Sequence, residues 1–455
     1  MRWKGGNMAK KYEVDMCNGP LFFKIIKFTL PLMASSILQL LFNAADMIVV
    51  GRYAGSVALA AVGSTSSLFN LLINVFIGLS IGANVAIAHY YGAKKEEELS
   101  KAVHTSVTLS LVGGVFLSVV GIAIASPVLS LMGTPEDILP HAVAYMRVYF
   151  IGMPVTLLYN FGAAILRAIG DTKRPLYYLL EAGVINVILN LIFVIVFGMG
   201  VRGVALATII SQTYSALMIV KCLIKNEGAL QLDIKKLGFD RGVLLKILRV
   251  GIPAGFQSAV FSLSNVLIQS SVNSFGSIAV AGNTAASNIE GFVYNGMNAF
   301  HQTAISFVGQ NMGAKKTDRV KKIALICLGC VVVTGVVMGG LGYIFGRELL
   351  GIYTDEAEVI AFGMRRLSII LTTYFLCGIM DVMVGVLRGM GFSIMPMLVS
   401  LLGACGLRIL LIFTVFKANP TPEILYMLYP ITWIVTFTAH VICYFVVARP
   451  KLKSL

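Results

Sequence analysis

Long apolar runs alternate with short polar, basic segments along the whole chain. Runs such as 109–125, 184–197 and 327–345 each approach the roughly 20 residues with which a helix crosses a bilayer. Twelve such spans are predicted, at about 22–50, 57–89, 101–127, 138–160, 176–198, 203–224, 244–273, 278–310, 320–346, 360–387, 394–416 and 425–448. Several exceed 20 residues, which leaves room for tilt or for helix beyond the membrane.

The pattern is also duplicated. KIIKFTLP at 24–31 returns as KILRVGIP at 246–253, and GSVALA at 55–60 as GSIAVA at 276–281. GAKK at 92–95 returns at 313–316, and LRAIG at 166–170, followed by Pro175, returns as LRGMG at 387–391, followed by Pro396. The offset is 222 at Pro31 and Pro253 and 221 thereafter, so a single gap aligns four motifs in order. Six spans per half mean that both halves enter the membrane in the same direction, as parallel repeats. The expected fold is therefore an all-α polytopic membrane protein. It has 12 transmembrane helices in two parallel six-helix repeats around a central cavity: an N lobe at 1–224, a cytoplasmic linker at 225–241 and a C lobe at 242–455.

Composition agrees with this reading. Of the 455 residues 57% are hydrophobic and 13% charged, too few charges to cover a water-soluble surface. The net charge of +15 sits mostly between the spans, where it is a topology signal and no sign of nucleic-acid binding. Arg2, Lys4, Lys10, Lys11, Lys94, Lys95, Lys101, Lys173, Arg174, Lys235, Lys236, Arg241, Lys315, Lys316, Arg319, Lys321, Lys322, Arg449, Lys451 and Lys453 fall on one side. By the positive-inside rule that side is cytoplasmic and holds both termini, in the inner membrane of a bacterium. Residues 1–20 are polar and basic without the apolar core of a signal peptide, and Met8 is a second candidate start. Cys327 and Cys330 have CxxC spacing at membrane depth, where packing is the expected role, since no second pair accompanies them.

Ionisable groups inside the spans are costly to bury and mark candidate sites. Asp46 in span 1 shares a helical face with Gln39 and Asn43, and Asn186 and Asn190 share one in span 5 at comparable depth. A carboxylate with amide oxygens nearby suits H⁺ or Na⁺; the alternative is an interfacial carboxylate with asparagines bonding between helices. Span 8 carries a polar stripe of Asn283, Ser287, Glu290, Tyr294, Asn298 and His301, and span 7 carries Gln257, Ser258, Ser262, Asn265 and Gln269. Asp381 in span 10 stands two turns from Arg388, too far for a tight ion pair. Glu290 and Asp381 read either as cation- or substrate-binding groups or as paired structural carboxylates. Glu181 reads as an interface residue near Lys173 and Arg174. No nucleotide-binding, triad or zinc-ligand motif is present, so the energy source is an ion gradient and no cofactor is called for.

Taken in order, these motifs resemble the multidrug and toxic compound extrusion (MATE) transporters, in their bacterial DinF/MepA-like branch. The resemblance runs through Pro31, LFNAAD at 41–46, VGR at 50–52, LAAVG at 59–63 and GAN at 82–84. It continues through YGAK at 91–94, LRAIGDTK at 166–173, GVALAT at 203–208 and LRGMG at 387–391. It implies antiport of small amphipathic, often cationic compounds against H⁺ or Na⁺. It also implies an N-lobe cation site at Asp46 and Asn186, with Asn190 where many members carry a second aspartate. Asp381 matches the family's C-lobe aspartate, and Gln257 lies near a glutamate found in some members, so Glu290 is expected to supply charge instead. A monomer with lipid as its other partner is expected. A flippase for a lipid-linked precursor, which would favour a cationic cavity, is the main alternative; Arg408 is the clearest cation in its favour. A membrane-embedded enzyme and a channel are less well matched.

Overall fold

The computed structural model describes residues 12–450, and all of its regular elements are helices. Arg2, Lys4, Lys10, Lys11, Lys451 and Lys453, on which part of the orientation rests, lie outside the described residues. In chain order the α-helices are α1 (Leu21–Val49), α2 (Ser56–Gly92), α3 (Glu96–Leu131), α4 (Leu139–Ile151), α5 (Met153–Ala168), α6 (Lys173–Leu191), α7 (Gly200–Lys225) and α8 (Arg241–Asn273). They continue with α9 (Ser277–Gly313), α10 (Thr317–Ile344), α11 (Gly346–Gly351), α12 (Ala357–Thr373), α13 (Phe375–Gly389), α14 (Ile394–Ser400), α15 (Leu407–Leu411) and α16 (Pro422–Cys443).

Among the described residues nine helices are long and apolar enough to cross a membrane, and two bent pairs raise the number to 11. The expected span 278–310 is α9, which has the length but carries the polar stripe, and this dilutes its hydropathy. Spans 4 and 10 are the bent pairs α4–α5 (50°) and α12–α13 (46°). The first bends at Gly152 and Pro154, and it runs eight residues past the expected end at 160. The outward-facing side chains are apolar, as lipid contact requires: Leu131, Ile352, Leu402 and Phe413 are each more than 60% exposed.

The duplication is visible in the backbone. Gly55 and Gly276 have φ of 91° and 92°, Lys94 and Lys315 both 56°, and Gly170 and Gly391 102° and 90°. Each pair stands at the 221-residue offset. The left-handed Lys94 and Lys315 are the same turn built twice from the same GAKK segment.

The chain divides into two compact units, one of Met1–Asp15 and Ala34–Gly255, the other of Met16–Met33 and Phe256–Leu455. The division does not fall at the expected linker 225–241. It falls inside α1 and inside α8, two residues after Pro31 and Pro253. A proline inside a helix removes one backbone hydrogen bond and permits a bend, so each repeat-related helix changes its packing partners just past its proline. In the first unit α8 lies directly on α2: a Cβ at Gly78 or Gly82 would overlap the backbone at Gly251, Gly255 or Ile247. Small residues four apart on both helices permit that approach.

Candidate functional site

In the first unit, α1 and α6 run side by side because Gly183 has no side chain; a Cβ there would overlap the ring of Phe42. One turn beyond Phe42 is Asp46, and two turns beyond Gly183 is Asn190, so the close approach brings the two together. The amide Nδ2 of Asn190 donates to Oδ1 of Asp46 and, at 3.2 Å, to Oδ1 of Asn186. Asn186 Nδ2 donates in turn to Thr208 Oγ1 of α7 at 3.4 Å, and Thr208 donates to the Val204 carbonyl. Tyr145 and Tyr149 of α4 lie within electrostatic reach of the carboxyl, packed against Phe69. Asn190 is fully buried and its Oδ1 has no hydrogen-bond partner among the described residues. A shielded amide oxygen without a donor beside a carboxylate is a pair of hard oxygen ligands.

The expected cluster is thus assembled in part. Asp46, Asn186 and Asn190 meet, whereas Gln39 and Asn43 are exposed and neither bonds Asp46. Of Gln39, Asn43 and Asp46 in α1, Asp46 is the one bonded to α6. Thr208, Tyr145 and Tyr149 were not singled out as site residues. Thr208 closes the GVALAT motif, while the tyrosines carry no signal in sequence.

In the second unit, Glu290, read either as a cation- or substrate-binding group or as a paired structural carboxylate, is buried and forms a two-pronged ion pair with Arg366 of α12, Nε to Oε1 and Nη2 to Oε2 both at 2.7 Å. Arg366 Nη1 donates to Asn283 Oδ1 at 2.7 Å, and Tyr426 donates to the same oxygen at 3.2 Å. Both carboxylate oxygens are taken, so Glu290 fills the structural role that was its alternative. The 46° bend of the α12–α13 pair lies at Tyr374, eight residues after Arg366 and seven before Asp381.

Asp381 is half-buried, with the Tyr294 hydroxyl facing its carboxyl. Its main-chain carbonyl meets His301 Nδ1 at 2.6 Å. Gly385, one turn on, lets α13 lie against the His301 backbone. As expected, Asp381 and Arg388 form no ion pair; Arg388 Nη2 instead donates to Gln257 Oε1 at 2.8 Å, and both residues are buried. Asp381, Tyr294, His301, Gln257 and Arg388 therefore form one neighbourhood. Glu181 is exposed and accepts from the Tyr214 hydroxyl at 2.6 Å. Among the described residues no cluster of His, Cys, Asp and Glu could hold a metal by three or more ligands.

Comparison with known proteins matches the MatE family model twice, at residues 31–192 and 253–414, an offset of 222 that reproduces the internal repeat. The probable multidrug resistance protein YoeA of Bacillus subtilis is 33% identical over 84% of this chain and 84% of its own length. The multidrug export protein MepA of Staphylococcus aureus is 24% identical over 83% of this chain and 85% of its own. Among solved structures, a MATE transporter in complex with MaL6 superposes with a TM-score of 0.88 at 22% identity, covering 97% of this chain and 98% of that one. An outward-facing multidrug resistance MATE transporter of the MOP superfamily gives the same score, identity and coverage.

Proposed function

We propose, from the premise that this chain belongs to the MatE family of membrane transporters, that it exports amphipathic, often cationic compounds in exchange for H⁺ or Na⁺. It is an integral membrane transporter and not an enzyme. The observation that carries the coupling is the hydrogen bond from Asn190 Nδ2 to Asp46, on an amide whose Oδ1 has no partner among the described residues and whose Nδ2 also reaches Asn186 and through it Thr208. A carboxyl held in that setting can take a proton. With the amide oxygen it can instead bind Na⁺, the carboxylate supplying charge and the amide a neutral ligand. Either event removes one negative charge from the interior and changes how tightly α1 is held to α6. Transport by alternating access follows if cation entry and substrate exit each favour a different state.

Asp381 with Tyr294, His301, Gln257 and Arg388 is the second element of the proposal, a substrate-facing surface. The orientation with both termini in the cytoplasm of a bacterium, the monomeric state and lipid as the other partner belong to the same reading. A flippase for lipid-linked precursors fits less well, because Glu290 neutralises one of the buried guanidinium groups.

The test is export of ethidium from proteoliposomes under an imposed Na⁺ or pH gradient. Export is expected under one of them and abolished without a gradient. Failure under both gradients refutes the reading.

A further inference from the structure

The second unit buries three guanidinium groups and the Glu290 carboxylate at membrane depth, with Asp381 half-buried among them. Arg366 is closed by Glu290, and Arg388 and Asp381 attract one another across their neighbourhood. Arg408 has no acidic partner among the described residues. It is 3% exposed; its Nε and Nη2 both donate to a single oxygen, Thr432 Oγ1, at 3.3 and 2.9 Å. Its guanidinium lies 4.2 Å from the centroid of Tyr429, a ring that Arg366 also approaches, at 5.6 Å. Nη1 makes no hydrogen bond, so one side of the planar fork keeps its donors.

A buried cation satisfied by one hydroxyl and one ring is expensive in a membrane interior, and such groups are kept where they meet a counter-charge. Three local features shape the place. Arg408 stands in α15, between π-helical turns at Leu401–Gly406 and Ile412–Phe416, which re-aim side chains relative to a regular helix. Ser264 of α8, 2% exposed, sits beside Cys405, itself within reach of Arg408. Aromatic rings continue from Tyr429 through Trp433 and Tyr374 to Tyr294, with successive centroids 5.7, 5.5 and 6.4 Å apart.

We infer that Arg408 is an anion subsite that binds the carboxylate of an aromatic amphiphile, whose rings lie along Tyr429, Trp433 and Tyr374. This deepens the export reading and rests on it: the substrates extend to zwitterions and organic anions, with Asp381 and Tyr294 at the far end of the aromatic row.

The experiment is calorimetric titration of the purified full-length protein in phosphatidylcholine nanodiscs with 4-biphenylcarboxylate and its methyl ester. Wild type prefers the carboxylate by about 10-fold, the value of one charge-assisted hydrogen-bonded pair. Arg408→Gln loses that preference while keeping the affinity for the ester, and Arg408→Lys keeps part of it. The carboxylate raises the melting temperature of the wild type and not of Arg408→Gln. Equal affinities in the wild type, or a preference that survives in Arg408→Gln, overturns the assignment. So does an Arg408-dependent preference confined to dioctanoylphosphatidylglycerol over dioctanoylphosphatidylcholine, which would make the anion a lipid headgroup. Binding needs no gradient, so these outcomes are separate from failure of ethidium export.

Discussion

Asp46 and Asp381 sit in two repeats of one scaffold, and their surroundings differ in kind. Asp46 is held by an amide: Asn190 touches it, Asn186 and the Thr208 hydroxyl continue the chain, and among the described residues no arginine pairs with it. Asp381 lies among a tyrosine, a histidine and an arginine that is anchored to Gln257. A carboxyl among neutral amides is free to exchange its counter-charge with the solution. One near a fixed guanidinium is already partly balanced and suits recognition of a substrate. On the proposed reading, one fold offers a place for the driving ion and another for the cargo, because the repeats share backbone turns while their polar side chains diverge.

Replacing Asp46 by Asn should break this comparison most sharply. Gradient-driven export is expected to fall on the order of 100-fold, the upper range of coupling between two sites, with the melting temperature unchanged. Export at the wild-type rate would remove Asp46 from the coupling. Next in size is Glu290→Gln, which leaves Arg366 buried without its counter-charge. A loss of roughly 3–5 kcal/mol is expected, read as a lower melting temperature in detergent, and Glu290→Leu with Arg366→Met should restore much of it. An unchanged melt for the single variant would return Glu290 to the free acidic groups. Gly183→Val is expected to force Phe42 away and separate Asp46 from Asn190. It should lower transport while Phe42→Ala, combined with it, recovers part of the activity; no recovery would mean that the α1–α6 approach does not position Asp46. The smallest effect is expected from Asp381→Asn, a change of about 10-fold or less in substrate affinity with ion coupling kept, checked by ethidium binding and by export in parallel. Loss of coupling in that variant would erase the distinction between the two repeats.

Much of this was legible in sequence because it depends on local or periodic features. Apolar runs near 20 residues and glycines at a constant offset follow from bilayer thickness and backbone sterics, which act residue by residue. Asn186 and Asn190 on one face of a helix, and the separation of Asp381 from Arg388, are likewise consequences of 3.6 residues per turn.

What only the tertiary structure decided is who meets whom across helices. Gln39 and Asn43 share the face of Asp46 and are nonetheless exposed, whereas Asp46 is met by Asn190 of α6. Arg366, 76 residues from Glu290, closes an ion pair that spacing could not disclose. The unit boundaries fell within α1 and α8 instead of in the polar linker, because packing past Pro31 and Pro253 outweighs chain order. The sequence carried every charge, and the folded chain determined which of them were already spoken for and left Arg408 without an acidic partner.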